Sequence, residues 1–523
     1  MSIKAELSTR HAGEHLHRFH GGLRLRHHKK ISCTMMVERP ALPGQLTLPM
    51  QQHMGDPAIP VVKPGDAVLK GQLIGEAAGL RSVPVHASTS GTIECIEDRP
   101  MSHPSGLPGT CVVLKPDGLD RWIDLQPLSD WPSTSPEELS DHIRNAGIAG
   151  LGGAVFSSAE KLNTGRAARV HTLIINGAEC EPFISCDEML MREQPGRIIK
   201  GAAILRRACG AENIVIAIED QMGAVWQAFD QAIKASGVDR ISLVKIPSIY
   251  PEGGERQLIE VLTGQEVPVN GLPADIGLVC HNVATAAAVA DAILDGKPLI
   301  ERYVTVTGKG IRSPRNLLTL TGTPVSHLVT HCGGYTENAA RLVVGGPMMG
   351  YALASDAEPV VKASNCILAL TRDQIEPPQD EMPCIRCGDC ERVCPARLMP
   401  QQLHWELKNG LWADAESSRV DACIECGCCD FVCPSQIPLT SWFRFGKDEV
   451  RRQSLERQAA DLARMRFEAR EERLERQKKE KRERIAKRKQ ALRDRAGKQE
   501  KVAAAIERAE SRKSSSNDPG SES

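Results

Sequence analysis

Two short cysteine runs constrain this 523-residue chain more than any other feature. The first is Cys384, Cys387, Cys390 and Cys394 followed by Pro395, and the second is Cys423, Cys426, Cys429 and Cys433 followed by Pro434. Both read C-x2-C-x2-C-x3-C-P, the spacing that holds paired [4Fe–4S] clusters. Three cysteines at two-residue gaps lie on a loop that wraps one face of a cubane, each thiolate reaching a different iron. The fourth is expected on an emerging helix that points the other way, and so caps the neighbouring cluster. One cluster then takes Cys384, Cys387, Cys390 and Cys433, and the other takes Cys423, Cys426, Cys429 and Cys394. Structural zinc usually pairs two C-x2-4-C units around a finger, and consecutive two-residue gaps give the wrong grouping for it. Cys428 is an extra thiol inside the second run. Using it in place of Cys429 would break the spacing, so it is expected to stay unligated.

The chain has 18 cysteines, a number that would suggest disulfides in a small secreted protein. Half of them fall between Cys384 and Cys433 of a long chain with no apolar signal-peptide core, which points to metal in a reducing compartment. The others (Cys33, Cys95, Cys111, Cys180, Cys186, Cys209, Cys280, Cys332 and Cys366) are expected to be mostly small buried hydrophobes. The longest apolar stretch, from about Ile276 to Leu294, is interrupted by His281, Asn282 and Asp291, whereas a membrane span needs about 20 apolar residues. A cytoplasmic chain is expected, held at a membrane only by partners. Aromatic residues make up 3% of the chain, which argues against recognition of single-stranded nucleic acid by stacking; no nucleic-acid partner is expected. The net charge of −1 is unevenly spread: 24 Lys and Arg face 14 Asp and Glu between Lys447 and Lys513, a balance of +10.

The length implies several domains, and the fold class read from the pattern is multidomain α/β plus β. Residues 1–31 form a basic segment with His15, His17, His20, His27 and His28 in no recurring ligand spacing, so packing or solvation is expected of them. Over 32–128, short apolar runs such as "PVVKPGDAVLKGQLIGE" are broken by Gly and Pro and read as strands with tight turns. This resembles the barrel-sandwich fold of biotinyl and lipoyl carriers, without a lysine at a carrier hairpin. A structural or docking role is expected there. Over 129–300, helical and buried-strand patterns alternate, which predicts a largely parallel sheet. Over 301–360, "RYVTVTG" and "ARLVVGG" mark a small β-rich module. The helical segment 361–446 carries the cysteine runs. Residues 447–523 read as a long polar helix with charge pairs four apart, then a disordered Ser-rich end. It is either solvated or a docking element for acidic partners or anionic lipid.

Within the alternating domain, "GIAGLGGAVFSSAEKL" places Gly150, Gly152, Gly153 and Phe156 ahead of Lys161. Glycines let the backbone approach a phosphate, and backbone N–H groups can hold the anion. Alone, such a cluster is as readily a turn without a ligand. "YPEGGERQLIEVLTG" puts Gly253, Gly254 and Glu255 before a helix, and "CHNVATAAAVADAIL" puts Asn282 and Thr285 at another helix start. Either alone reads as helix capping.

Together, the glycine-rich loop, "NGAECEP", "GGE" and "HNVAT" resemble, in that order, the FMN-bearing, NADH-oxidising subunit of respiratory complex I. More closely, "GLGGAVF", "INGAECEPFISCD", "YPEGGERQLI", "VVGGPMMG" and the double cysteine run resemble the RnfC (RsxC) family of the Rnf (Rsx) ion-translocating electron-transport complex. The resemblance covers about residues 20–445. It implies a barrel-sandwich domain, an FMN/NADH-binding-like α/β domain, a β-grasp (soluble-ligand-binding-like) module and a two-cluster ferredoxin domain. It also implies how the residues divide. Gly150, Gly152, Gly153 and Lys161 approach the flavin phosphate, Asn176, Glu179, Gly254, Glu255, Asn282 and Thr285 contact the flavin, and Phe156 and Glu181 meet the nicotinamide nucleotide. The chain departs from the complex I pattern at Leu151, Ala178, Arg256 and His281. The implied role is a peripheral electron-transfer subunit on the cytoplasmic face of the inner membrane. It would work between NAD(H), FMN and two [4Fe–4S] clusters, with other Rnf/Rsx subunits and a ferredoxin or ferredoxin-like subunit as partners. The alternative is an iron–sulfur relay without nucleotide turnover.

Overall fold

A computed structural model describes residues 16–377 and 379–514. His15 and the Ser-rich end from 515 lie outside the described residues. The chain divides into two units, Met1–Gly446 and Lys447–Ser523.

The first strands, β1 (Leu46–Pro49), β2 (Ile59–Pro60), β3 (Ala67–Val68), β4 (Leu73–Glu76), β5 (Val85–His86), β6 (Gly91–Pro100) and β7 (Pro108–Pro116), form two sheets ordered β1-β7-β6-β3 and β2-β4-β5. Leu46, Leu48, Ile74, Val85, Ile93, Val112 and Leu114 close the core between them, the two-sheet sandwich that the short runs predict.

The next four strands, β8 (Thr172–Gly177), β9 (Asn213–Glu219), β10 (Ile241–Ile246) and β11 (Leu278–Asn282), are all parallel and ordered β10-β9-β8-β11. β9 is buried along its whole length, as a strand covered on both faces should be. Helices Pro195–Cys209 and Val283–Asp295 cover one face, with Gly201 at their crossing: a Cβ there would lie 1.7 Å from the Ala286 carbonyl oxygen. The chain runs β8, β9, β10 toward one edge and then returns to the other side of β8 with β11. That reversal is a topological switch point, where the crevice beyond the carboxyl ends of the strands receives ligands. Asn176 and Asn282 stand there, directly paired in register.

The third sheet contains β12 (Glu301–Thr307), β13 (Arg315–Leu320), β14 (Ala339–Val344), β15 (Tyr351–Ala352) and β16 (Cys366–Thr371), ordered β13-β12-β16-β14-β15. β16 falls in the segment expected to belong to the cysteine runs. Its pairing between β12 and β14 fills what would otherwise be two open strand edges, so the β-rich module continues to Thr371, past the expected 360.

The cysteine segment holds short helices Asp389–Arg392, Pro400–Lys408, Trp412–Ser417 and Cys428–Phe431. The expectation that each run's fourth cysteine rides on an emerging helix is corrected: Cys390 and Cys429, the third ligands of the pattern, lie on the one-turn helices, and Cys394 and Cys433 follow them. The segment from Leu16 is not a separate unit either. It straps across the body: His17 N–H donates to Val261 O (3.0 Å), Leu23 pairs with Tyr250, and Gly22 N–H donates to Val393 O (3.0 Å). His20 and His28 pack, the first against Cys394 O at 2.8 Å and the second stacked on Phe183 at 4.8 Å.

The last helix, Leu439–Ser514, is exposed along almost all of its length past Val450 and carries pairs such as Arg452–Glu456. Among the described residues no helix is long and apolar enough to cross a membrane.

Candidate cofactor sites

The glycine-rich loop folds over the switch point. Gly150 N–H donates to Phe156 O at 2.8 Å, closing the loop, and Leu151 N–H donates to Thr285 Oγ1 at 2.9 Å. A Cβ on Gly152 would sit 3.0 Å from Asn282 Cβ, whereas one on Gly153, at φ +119°, would meet nothing within 4 Å. The loop is thus tight on its inner side and open on its outer side. Asn282 caps helix Val283–Asp295 by accepting from Ala284 N–H (2.7 Å) and donates through Nδ2 to Asp187 (2.6 Å). Asn176 donates to Gly253 O (2.9 Å), which joins the β8 terminus to the "GGE" turn. Lys161 pairs with Glu255, and both are part-exposed beside the loop. Gly254 N-caps the helix Glu255–Thr263.

Glu179 is buried and satisfied within the protein. Its carboxylate accepts from the N–H groups of Asp187 (2.9 Å) and Glu188 (3.2 Å), capping helix Cys186–Glu193, and Lys29 Nζ stands 3.4 Å away. Burial raises its pKa and the Lys29 ammonium pulls the other way. Asp187 Oδ1 is buried without a partner. Glu179, Cys186 and Asp187 form a group compact enough for a metal ion, but the hydrogen bonds of Glu179 leave that group to helix capping. Glu181 does not point into free space. It accepts from Met348 N–H (2.7 Å) and Met349 N–H (3.1 Å), and only a glycine at 346 leaves it room. Burial raises its pKa.

The four departures have local explanations. Leu151 is part of the hydrophobic core, and its carbonyl accepts from Arg302 (2.6 Å). Arg256 clamps the 267–271 turn through Val267 O, Pro268 O and Gly271 O at 3.0–3.1 Å. His281 is buried, and desolvation with Lys161 nearby pushes its pKa down to about 3. Ala178 N–H donates to Asn176 Oδ1 (2.9 Å).

The cysteines fall into two cavities. One is lined by Cys384, Cys387, Cys390 and Cys433, with Gln401, His404 and Ser435 from the same segment. The other is lined by Cys394, Cys423, Cys426 and Cys429, and also by Cys428. Each cavity thus takes three cysteines from one run and the fourth from the other. Cys384 and Cys387 are exposed, whereas Cys394, Cys426, Cys428 and Cys429 are buried. The second cavity abuts the α/β domain, where Tyr250 Oη donates to Cys426 O at 2.6 Å. Tyr250, Asp187, Lys29 and Arg302 carry no role in the sequence pattern. Tyr250, Asp187 and Arg302 lie inside the quoted segments, but only their contacts reveal what they do.

FMN fits the loop on chemical grounds. The glycine loop lies against Asn282, the cap at the N-terminus of a 13-residue helix, and the outer side of Gly153 is open; glycines at a helix N-terminus are suited to a phosphate. Eight thiols in two groups of four suit two iron–sulfur clusters.

Comparison with known proteins agrees with this layout. Family models match at residues 17–119 (RnfC Barrel sandwich hybrid domain), 143–291 (Nuo51 FMN-binding domain) and 303–352 (SLBB domain). The C subunit of the ion-translocating oxidoreductase complex of Edwardsiella ictaluri is 47% identical over 89% of this chain and 58% of its own length. That of Pseudomonas aeruginosa is 45% identical over 88% and 59%. That of Rhodobacter capsulatus is 44% identical over 82% of each. This chain therefore spans little more than half the length of the first two. An NAD+-reducing [NiFe]-hydrogenase in the H2-reduced state aligns at 20% identity over 64% of this chain and 65% of its own, with a TM-score of 0.44, a likeness too loose to carry an inference. With the domain order, the interlocked cysteines and the relatives in agreement, this chain belongs to the RnfC family of ion-translocating oxidoreductase complexes.

Proposed function

We propose that this chain is the peripheral electron-transfer subunit of a membrane-bound ion-translocating complex, passing electrons between NAD(H), by way of FMN, and two [4Fe–4S] clusters. Its partners are the other subunits of that complex and a ferredoxin or ferredoxin-like carrier, at the cytoplasmic face of the inner membrane. The observation that supports the reading is one compact unit that holds both a glycine loop at a sheet switch point and two interlocked four-cysteine cavities, the second of them tied to the α/β domain by the Tyr250–Cys426 hydrogen bond. FMN, when bound, accepts two electrons as hydride and releases them singly, the exchange that nicotinamide and a cluster cannot make directly.

The chain's own residues would prepare that exchange. Gly150, Gly152 and Gly153 bring backbone N–H groups to the phosphate, and Lys161 neutralises it. Asn176, Gly254, Glu255, Asn282 and Thr285 fix the walls, and Glu179 holds the helix start behind them. Phe156 would border the nicotinamide. Glu181 is tied to Met348 and Met349, which favours a second reading, a relay whose nucleotide end does not turn over.

One measurement separates the two. The purified chain is reconstituted anaerobically with iron, sulfide and FMN, and its visible absorbance is followed on adding NADH. Bleaching is expected. Full iron and flavin content without bleaching would leave only the relay.

A further inference from the structure

Leu151, in the middle of the glycine loop, is clamped at both of its backbone polar groups by buried side chains. Its N–H donates to Thr285 Oγ1 (2.9 Å), and its carbonyl accepts from Arg302 Nη2 (2.6 Å). Arg302 reaches the loop from β12, in a different sheet, and is only 1% exposed. Its Nε and Nη1 are buried without a hydrogen-bond partner, and among the described residues no carboxylate pairs with it. The buried Asp187 carboxylate feels its charge but is bonded to Asn282 Nδ2 (2.6 Å), and Asp187 Oδ1 is also without a partner. A buried guanidinium without an ion pair is costly to keep, so its charge calls for an anion. The Leu151–Gly152 peptide is trans, and the C=O and N–H of a trans peptide point in opposite directions. With the Leu151 carbonyl drawn to Arg302, the Gly152 N–H is therefore aimed away from it. Gly152 is exposed, and that N–H donates to no acceptor among the described residues.

We propose that Arg302 is a positioning residue for the flavin phosphate: it fixes the Leu151–Gly152 peptide so that the Gly152 N–H faces the phosphate, and it sets a full positive charge behind that donor. The charge acts in two ways. A guanidinium bonded to the carbonyl polarises the peptide and strengthens its N–H as a donor. It also attracts a phosphate dianion through a dry layer of loop, where screening is weak. Thr285 and Asn282 hold the same loop by neutral contacts, the first at the Leu151 N–H and the second against Gly152, where a Cβ would lie 3.0 Å from Asn282 Cβ. Those contacts shape the loop for any flavin, whereas Arg302 favours the one that carries a phosphate. Lys161, the cation within reach in sequence, is engaged with Glu255, while the charge of Arg302 has no such partner.

This inference rests on the FMN reading, and riboflavin, the same flavin without its phosphate, separates the two. The full chain, wild type and with Arg302→Met, Arg302→Gln or Arg302→Lys, is reconstituted with iron and sulfide, and its affinity for FMN and for riboflavin is measured by equilibrium dialysis. The wild type should prefer FMN. Arg302→Met should lose about tenfold in FMN affinity, the order expected when one charge is removed at several ångströms, and about twofold or less for riboflavin. Arg302→Lys keeps the charge and should retain most of the preference. Arg302→Gln keeps an N–H for the Leu151 carbonyl without the charge, and it carries the comparison if thermal unfolding shows that Arg302→Met does not fold. An equal loss for both flavins would make Arg302 a purely structural residue and overturn the proposal, as would an unchanged preference for FMN in a folded, uncharged variant. A wild-type chain that binds riboflavin as tightly as FMN overturns it too. A wild-type chain that binds neither flavin sinks the FMN reading itself.

Discussion

At the scale of single residues, the sharpest consequence of the interlock concerns Cys394. It belongs to the first run in sequence but lines the cavity of the second, where Leu398 N–H donates to its sulfur at 3.4 Å. Cys394→Ala should therefore remove the EPR signal that Cys426→Ser removes and leave the one that Cys387→Ser removes. The opposite pairing would place each cluster on its own run. Lys362 makes a different kind of prediction. It is buried without a carboxylate and donates to Pro84 O (2.9 Å) and Gly147 O (2.7 Å), tying the barrel sandwich to the start of the glycine loop. Burial pushes its pKa down to about 7, and His53 and His86, which face it, are held neutral by burial at about 4 and 3. The unfolded chain binds the Lys362 proton up to about pH 10.4. Between the folded and unfolded values the unfolded state holds more protons, so stability rises with pH, by about 1.4 kcal/mol per unit from this group. Urea unfolding at pH 7.5 and 9 should show that gain in the wild type, and Lys362→Met should lack it. Nothing in "VVKAS" distinguishes this lysine from a surface one. The grouping of the cysteines into two sets of four, by contrast, is written in spacing alone.

Elements were legible where their signal is local. The alternation from Pro136 to Asp295 reads as helix and buried strand because each strand is a short apolar run and each helix has an amphipathic or Ala-rich face. Asn282 announces a helix start by its side-chain cap. What stayed hidden depends on partners far along the chain. β16 looks like any apolar run until β12 and β14 claim its two edges, and the strap from Leu16 shows no pattern that points to Tyr250 or Val393. The close crossing at Gly201 was equally silent, although "KGAAI" and "VATAAAV" place small residues on both helices. A methyl there would collide with the Ala286 carbonyl at 1.7 Å, whereas at Gly196 it would meet nothing within 4 Å. Gly201→Ala should thus lower stability by about 1–3 kcal/mol or more, as overpacking does. Because helix Val283–Asp295 carries Asn282 and Thr285 at its start, flavin retention should fall with it. Gly196→Ala is the control, and thermal unfolding with flavin content per chain reads both.

At the scale of the whole molecule, composition and fold divide at the same place. The unit up to Gly446 holds the cores, the glycine loop and the two cysteine cavities, while the unit from Lys447 holds the basic excess. Leu439 and Phe443, at the start of the last helix, are buried in the first unit, so the helix needs its first turns for packing. Its exposed remainder is held by propensity and by i,i+3 and i,i+4 pairs, each worth about 0.2–0.5 kcal/mol in an isolated helix. A chain ending after Val450 should accordingly keep its iron and flavin content and its unfolding midpoint. Loss of iron on that truncation would show that the tail supports the cluster sites. The truncation should still change one property sharply. With the excess of Lys and Arg gone, the remaining body is acidic, so retention on a cation exchanger should be lost at low salt. Attraction of this kind is screened within about 10 Å at 0.1 M ionic strength. The full chain should therefore elute as salt is raised through that range, and equal retention of both forms would mean that the basic helix does not present its charge to an acidic surface.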